Sequence, residues 1–402
     1  MLGVSPLHKD MHEPLPITTL LNAALLILII GCSGSKPTPR LDSLDALVTK
    51  LDALVPGLLE ERGVPGAAIS LIQNGKSVWS NGYGLADKNT KRPVTINTHF
   101  NIGSISKTFT AWAVMTLAEK GLIDLDTPVA RYLKRWRLPK SDFDNNKVTV
   151  RRLLSHTAGL SVYPASASIN GYLPGEKMPA LEEALSRSYG SFGQLRVIRE
   201  PGTSFEYTNG SYVILQLLIE DVTGQSFADY MQDNVFTPLG LTKTEYEWTP
   251  ELEASVATPY NQNGEPWPHF QGVEQASGGV YTTAGDLARF VAAIDSSEGN
   301  LSGGGVLKPE TVLNMIVPAG ESDGQYGLGY QMTPLKKDGY FVAHQGANEG
   351  FRALFLFDIE NRAGIVILTN SDAGGRIMGE IVCAWAKWAA IELSEPCPNS
   401  TG

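Results

Sequence analysis

The chain has 402 residues, of which 43% are hydrophobic and 18% are charged. This balance is too apolar for a disordered chain, and the apolar runs are too short for a polytopic membrane protein. The 32 basic and 42 acidic residues give a net charge of −10, which argues against a general nucleic-acid-binding protein. The three cysteines are too few for a disulfide scaffold, and the sequence lacks G-x-x-x-x-G-K-[ST] and H-E-x-x-H motifs.

An apolar segment lies near the start of the chain, over Ile17–Ile30. It is too short to cross a bilayer as a helix and has the length of a signal-peptide core. The segment is followed by Gly31-Cys32, which resembles the lipobox of bacterial lipoproteins, in which a small residue precedes the lipid-bearing cysteine. We therefore predict a signal peptide, a lipid anchor at Cys32, and a protein exported to the periplasm or cell exterior. Asp10 and Glu13 depart from the basic start of such signals, and a buried hydrophobic helix is the alternative.

The elements that follow begin with a hairpin and a helix. Two strand-like runs over Gly66–Trp79 flank Asn74-Gly75, a dipeptide typical of hairpin turns. Ser104–Gly121 has apolar residues at helical spacing and ends at a glycine. The further predicted elements are helices Val150–Ser155, Ala180–Ser188, Tyr212–Val222 and Phe227–Asn234, strands Tyr340–His344, Phe351–Phe357 and Ala363–Leu368, and helix Met378–Ile391.

Strands at both ends of the chain and helices between them predict an α/β fold in the α+β sense. One antiparallel sheet is formed by the N- and C-terminal segments, flanked by helices, with a mostly helical inserted domain. The predicted parts are a signal peptide (1–31), a tether (32–45), a domain (46–395) and a tail (396–402). Within the domain, residues 46–127 and 276–395 are predicted to form the part that contains the sheet, and residues 128–275 the helical insertion. In an oxidising compartment Cys383 and Cys397 are free to pair, and buried thiols are equally expected.

An S-x-x-K motif, Ser104 to Lys107, opens the first predicted long helix. Residues three apart on a helix share a face, so Ser104 and Lys107 project together. A serine hydroxyl needs a nearby proton acceptor to act as a nucleophile, and a helix N-terminus favours negative charge on its oxygen. A helix start with a solvated lysine is the alternative. A second copy, Ser33 to Lys36, lies in the predicted tether and is interpreted as a chance match.

A second candidate motif is Tyr207-Thr208-Asn209. Free tyrosine and lysine have pKa values of about 10 and 10.4, so neither is a base at neutral pH unless its surroundings change its pKa. An ammonium beside a phenol lowers the pKa of the phenol, and burial lowers that of a lysine, so Tyr207 and Lys107 together can share the serine proton. Asn209 offers a donor and an acceptor to a substrate amide. A core tyrosine is the alternative for Tyr207.

The third candidate is His344-Gln345-Gly346-Ala347, at the end of a predicted strand. Gly346 permits close approach of a substrate backbone, and the N–H groups of Ala347 and Ser104 are candidates for an oxyanion hole. An isolated match of this kind is more commonly a lone histidine at a strand end. His156 is interpreted as a structural hydrogen-bonding residue, because nothing places it at the nucleophile.

In this order, the three motifs resemble the serine β-lactamase and penicillin-binding protein superfamily. The resemblance is greatest to the branch that holds class C β-lactamases, D,D-carboxypeptidases, D-aminopeptidases and family VIII carboxylesterases, and it extends over roughly Leu51–Ile391. Supporting stretches are Gly63–Gly66, Leu153–Leu160 and Ser277–Thr283. The resemblance implies a β-lactamase/transpeptidase-like fold with no cofactor and no metal.

Position by position, the resemblance makes Ser104 the acylated nucleophile, Lys107 the residue that shares its proton and Tyr207 the general base. Asn209 matches the polar contact to the substrate, and His344 matches the first residue of the third motif. Class C β-lactamases have Lys-Thr-Gly at that motif, whereas some D,D-peptidases and D-aminopeptidases have His-x-Gly, as here. The missing lysine makes efficient β-lactam turnover less expected, because a fixed cation there would hold the substrate carboxylate.

We therefore expect an exported serine hydrolase that forms an acyl-enzyme with an ester or amide, a small molecule or a peptide. β-Lactamase activity, and D,D-carboxypeptidase or D-aminopeptidase action on peptidoglycan peptides, are alternatives within this class. A non-catalytic, membrane-tethered sensor of cell-wall fragments or β-lactams is the alternative of another class, although a pure binder needs no proton relay. Substrate choice is expected to depend on Tyr163–Leu195 and Tyr260–Gln275.

Overall fold

Strands from the two ends of the chain lie side by side in one seven-stranded antiparallel sheet. The strands are β1 (Gly66–Gln73), β2 (Lys76–Asp87), β3 (Arg92–Pro93), β4 (Phe100–Asn101), β5 (Thr244–Glu245), β6 (Tyr281–Thr282), β7 (Gln331–Pro334), β8 (Tyr340–Asn348), β9 (Phe351–Asp358) and β10 (Ala363–Thr369). The order across the large sheet is β3-β2-β1-β10-β9-β8-β7, and Ala67 pairs with Thr369 where the two chain ends meet. Strands β4, β6 and β5 form a separate small sheet. The predicted mixed α/β fold with a large antiparallel sheet is confirmed.

This computed structural model describes residues 43–163, 171–189, 192–295, 302–337 and 339–397. All of them fall within one compact unit that starts at Arg40. The predicted signal peptide and Cys32 lie outside the described residues, and the predicted domain boundaries stay predictions. None of the helices in the described ranges is both long enough and apolar enough to cross a membrane.

The α-helices differ from the predicted ones mainly at their ends. They are α1 (Leu44–Arg62), α2 (Ser106–Glu119), α3 (Val150–Leu154), α4 (Leu181–Ser186), α5 (Asn209–Thr223), α6 (Phe227–Met231), α7 (Pro250–Ser255), α8 (Gln275–Gly278), α9 (Ala284–Ala292), α10 (Pro309–Met315) and α11 (Gly375–Ala389). Helices α1, α7, α8 and α10 are not among the predicted elements. Helix α5 begins at Asn209 rather than Tyr212, because the side chain of Thr208 caps it by accepting a hydrogen bond from the Gly210 N–H.

The predicted hairpin at the start of the sheet is present. Asn74 and Gly75 both have positive φ, 53° and 66°, between β1 and β2. Two successive residues with positive φ are the requirement of a type I′ turn, whose twist matches that of the flanking strands. The Asn-Gly dipeptide therefore determines this turn locally.

The sheet is buried on both faces, and its central strands β1 and β10 are mostly apolar. On β1, Ala68 and Ile72 join one hydrophobic core, and Ala67, Ile69 and Leu71 join the other. This alternation follows from the period of two in a strand. Helices α1 and α11 cover the second core, and the helices of the middle of the chain cover the first. The result is three layers.

Helix α2 runs through the larger core. Every residue from Ser106 to Leu117 is buried. Phe109 stacks on Phe290 of α9 at 3.8 Å between ring centroids, and the Trp112 Nε1–H donates to the hydroxyl of Tyr330 at 2.6 Å. Packing on every side holds this helix in place, so a side chain at its first turn has a defined position.

The C-terminal segment is tied to α11 by a disulfide. Cys383 and Cys397 are bonded, with their Cα atoms 5.8 Å apart. The sequence left pairing and buried thiols equally open, and the fold decides for pairing because it brings the end of the chain back along the helix. Disulfides of this kind persist in oxidising compartments.

Candidate active site

The candidate nucleophile lies on a tight turn between β4 and α2. Ser104 belongs to a 3-10 turn, Gly103–Ile105, rather than to the α-helix predicted for it. In a 3-10 turn, residues three apart lie directly above one another, so the spacing still places Ser104 over Lys107. Gly103 has φ 50°, which favours glycine, and a Cβ there would lie 2.6 Å from the Ala347 nitrogen.

Lys107 is the centre of the site. Its side chain is fully buried, and its Nζ lies 3.1 Å from Ser104 Oγ. The same nitrogen donates to Asn209 Oδ1 and to the Ser277 carbonyl oxygen, each at 2.7 Å. No Asp or Glu of the described ranges forms an ion pair with this amine. Burial without a counter-charge holds the pKa of Lys107 well below its ordinary value.

Tyr207 lies against Lys107, with its ring centroid 5.0 Å from Nζ. Burial raises the pKa of the Tyr207 phenol, and a hydrogen-bonding contact with the Ser104 side chain partly opposes that rise. The sequence argument expected a lowered pKa from a neighbouring ammonium. The direction is the opposite because Lys107 is itself buried, which removes the positive charge on which that argument depends.

His156 supports the segment that carries Tyr207. It is buried, and its backbone has φ 59°, uncommon for a residue other than glycine. Its Nδ1 accepts from the Thr208 N–H at 3.3 Å, and its ring lies 4.4 Å from the Tyr207 ring. These contacts agree with the structural role predicted for His156.

His344 lies deeper than a substrate contact requires. Its side chain is fully buried, with Nδ1 2.7 Å from the Gln345 carbonyl oxygen. Because a carbonyl only accepts, Nδ1 carries the proton, and Nε2 accepts from the Tyr326 hydroxyl at 2.8 Å. Burial lowers the pKa of His344 to about 3. The sequence predicts a substrate contact here, whereas the structure places a neutral imidazole inside the protein.

Gly346 lets two parts of the protein meet. A Cβ at Gly346 would lie 1.8 Å from the Ile102 carbonyl oxygen and 3.3 Å from the Ser104 nitrogen. The close approach predicted for a substrate backbone is therefore made by the nucleophile turn itself. This packing places Ala347, which is exposed, beside the turn, so the backbone N–H groups of Ala347 and Ser104 belong to adjoining segments.

Two asparagines that the motif analysis missed join three segments. Asn348 Nδ2 donates to Asn101 Oδ1 at 2.6 Å and to the Gly278 carbonyl oxygen at 3.0 Å. Asn101 Oδ1 also accepts from the Gly103 N–H at 2.9 Å. The pair is separated by 247 positions in the sequence, so no local spacing could reveal it. It holds the nucleophile turn against β8 and α8.

A cavity of about 400 Å³ adjoins the site, with Asn101, Ser277 and Asn348 in its wall. Aromatic and acidic residues also line this cavity, which we call the Trp248 cavity: Tyr246, Glu247, Trp248, Phe270, Glu274 and Tyr281. Both segments expected to choose the substrate contribute to its wall. Within the described ranges, no three His, Cys, Asp or Glu side chains are grouped to hold a metal ion.

One protein family matches most of the chain. A family model described as Beta-lactamase matches residues 51–380. The chain therefore belongs to the beta-lactamase family, whose members are generally serine hydrolases.

Among curated relatives, the protein flp of Staphylococcus aureus (strain N315) is 25% identical over 326 residues, which cover 80% of this chain and 62% of flp. This chain thus spans less than two thirds of flp. PbpX of Bacillus subtilis, named as a penicillin-binding protein, is 26% identical over 321 residues, covering 79% of this chain and 73% of PbpX.

Solved structures agree on the fold. The octameric penicillin-binding protein homologue of Pyrococcus abyssi has a TM-score of 0.68 and 27% identity, covering 82% of this chain and 75% of its own. The beta-lactamase/D-alanine carboxypeptidase of Pseudomonas syringae has a TM-score of 0.67 and 23% identity, covering 87% of this chain and all of its own. At that identity the second similarity concerns the fold alone.

Substituting Gly346→Ala should displace the nucleophile turn, because the new methyl group cannot share space with the Ile102 carbonyl. We expect labelling of Ser104 by a fluorophosphonate to slow by about 100-fold or more, the typical cost of an ångström of misplacement. Gly57→Ala in α1 is the matched control, since nothing lies within 4 Å of its Cβ position. Equal labelling rates in the two variants would contradict the proposed contact.

Proposed function

We propose that this protein is a serine hydrolase that transfers the acyl group of an ester or amide to Ser104 and then to water. The observation that carries the proposal is the set of contacts around the buried amine of Lys107. Asn209 Oδ1 and the Ser277 carbonyl only accept, so they take the two hydrogens of a neutral amine. The remaining lone pair then faces Ser104 Oγ at 3.1 Å. This is the arrangement of a base beside a nucleophile.

In the first step, Ser104 Oγ bonds to the substrate carbonyl carbon while its proton passes to Lys107 Nζ. The carbonyl oxygen gains the negative charge, and the N–H groups of Ser104 and Ala347 are proposed to stabilise it. Tyr207, which burial keeps protonated, gives its proton to the leaving group as the bond to that group breaks. The proton held by Lys107 then restores the phenol.

Deacylation follows the same path with water in place of the serine hydroxyl. A water molecule loses a proton to the Tyr207–Lys107 pair and attacks the acyl carbon, and Ser104 leaves with its proton restored. Asn209 takes part indirectly, since its bond to Lys107 orients the amine. The contacts of Lys107 with Ser104 and Tyr207 favour this relay over a non-catalytic sensor.

β-Lactam turnover is disfavoured within this proposal by the state of His344. A substrate carboxylate needs a cation, and an imidazole with a pKa of about 3 carries no charge at neutral pH. Esters and amides without a carboxylate near the scissile bond have no such requirement. We therefore rank them above β-lactams and D-Ala-D-Ala peptides as substrates.

Substituting Ser104→Ala should abolish hydrolysis of a short-chain aryl ester and remove covalent labelling, because no other nucleophile is proposed. We expect a loss of at least about 1,000-fold in kcat/KM, measured by release of the aryl alcohol, with intact-mass spectrometry for the acyl-enzyme. Ser33→Ala, in the second S-x-x-K copy, is the matched control and should keep full activity. Unchanged hydrolysis by Ser104→Ala would remove this serine from the mechanism.

The pH dependence of kcat/KM should report the state of Lys107. The amine must be neutral to accept a proton, so activity falls as the pH decreases through its pKa. Because burial lowers that pKa, we expect the acid limb well below 10.4, the value for a free lysine. His344→Gln should leave the pH of this acid limb unchanged, since His344 is neutral over the pH range in which Lys107 titrates. A profile that rises only near pH 10 would contradict a neutral Lys107.

We further propose that the protein is exported and lipid-anchored at Cys32. The lipobox-like Gly31-Cys32 supports this, and the Cys383–Cys397 disulfide suits an oxidising compartment. The expected product is a membrane-associated chain that starts at Cys32, because cleavage before a lipidated cysteine removes residues 1–31.

Peptide-mapping mass spectrometry of the protein recovered from membranes, digested without reduction, checks both features. We expect a lipid-sized mass increase on the N-terminal peptide and a mass two hydrogens short for the peptides of Cys383 and Cys397. Cys32→Ser should release the protein from the membrane fraction, whereas Cys397→Ser should not. An unmodified Cys32 would rule out the anchor.

A further inference from the structure

The Trp248 cavity adjoins the lysine site at Ser277. Its wall includes Ser277, whose carbonyl oxygen accepts from Lys107. A second connection runs through Asn209, because Asn209 Nδ2 approaches the Tyr163 carbonyl oxygen at 3.5 Å and the Tyr163 hydroxyl donates to Glu274 Oε1 at 2.8 Å. Ser104, Lys107 and Tyr207 themselves are not in the wall of the cavity, so only a substituent directed past Ser277 from a carbonyl held at Ser104 would enter it.

Aromatic residues form part of the cavity wall. Trp248 and Tyr281 meet edge to face, with ring centroids 5.9 Å apart, and the Tyr281 hydroxyl donates to the Phe270 carbonyl oxygen at 3.3 Å. These contacts fix the rings. Fixed aromatic faces bind apolar groups and also attract cations through the ring quadrupole. A volume of about 400 Å³ suits a group of the size of a phenylalkyl chain.

The charged side chains that the described residues contribute to the cavity are both acidic. Glu247 and Glu274 line it, and no Lys, Arg or His of the described residues does. Glu274 is 7% exposed, so its side chain is shielded from water. Charges interact more strongly where water is excluded. A carboxylate in this space meets repulsion, and an ammonium meets attraction from the acids and the rings alike.

We propose that the Trp248 cavity binds a substrate group that is apolar or aromatic and carries a protonated amine. This inference rests on the proposed function, because it assigns the cavity to the substrate of Ser104. It narrows the substrate class to esters or amides of amine-bearing acids, and it excludes substrates that place a carboxylate in the cavity. Glu274 is the residue that determines this choice, and Glu247 at the rim reinforces it.

Three probes of similar size test the inference: cationic 3-phenylpropylammonium, neutral 3-phenylpropanol and anionic 3-phenylpropanoate. Their affinities for the purified full chain are measured at pH 7 by calorimetry, and their inhibition constants are measured by competition with aryl ester hydrolysis. We expect the ammonium to bind about tenfold more tightly than the alcohol, the typical gain from a charge-assisted hydrogen bond, and the carboxylate to bind most weakly. A carboxylate that binds as tightly as the ammonium overturns the proposal, whatever the variants show.

Variants of the cavity distinguish the effect of its negative charge from the effect of a structural change. Glu274→Gln combined with Glu247→Gln should bring the ammonium down to the affinity of the alcohol. Tyr163→Phe is the matched control, because it removes one hydrogen bond to Glu274 and leaves both negative charges. The preference should survive in Tyr163→Phe. An ammonium preference that survives in the double variant, shown by thermal unfolding to be folded, places the cation elsewhere and overturns the assignment.

Failure of this inference and failure of the proposed function have different signatures. Ester hydrolysis without a charge preference overturns the cavity assignment and leaves the serine hydrolase in place. A charge preference seen by calorimetry, without hydrolysis or labelling of Ser104, overturns the proposed function while the ligand class of the cavity stands.

Discussion

The burial of one amine without a counter-charge is the constraint on which the site depends. An ammonium at Lys107 would be costly inside the protein, since no carboxylate of the described residues forms an ion pair with it. A neutral amine is satisfied by two acceptors and one donor, and Asn209, Ser277 and Ser104 occupy those three directions. The same burial removes the charge that would have made Tyr207 acidic. The chemistry of serine, lysine and tyrosine thus follows from packing around α2.

The position of the serine depends on two glycines and two asparagines. Gly103 and Gly346 allow the nucleophile turn and β8 to pack so closely that a Cβ atom at either position would clash with the other segment. Asn101 and Asn348 then join these segments to α8, whose Ser277 carbonyl holds the lysine. The oxyanion donors, the nucleophile and the base are therefore positioned by one set of backbone contacts.

The neutral His344 in the site and the acidic residues of the cavity both disfavour a substrate that carries a carboxylate. His344 is neutral because it is buried and bonded to Tyr326. The Trp248 cavity adds Glu247 and Glu274, and none of the described residues that line it is a Lys, Arg or His. Membership of the beta-lactamase family accounts for the fold, while these side chains separate the proposed substrates from those that carry a carboxylate.

The sequence by itself determined the features that depend on short spacing. Ser104 and Lys107 are three residues apart, Asn74-Gly75 makes a turn from two residues, and alternation along β1 follows from strand geometry. Only the tertiary structure decided the features that depend on distant partners, such as the Asn101–Asn348 bond and the Cys383–Cys397 disulfide. The pKa values of Tyr207 and His344 belong to this second group, because desolvation is set by everything packed around a side chain and not by its neighbours in the chain.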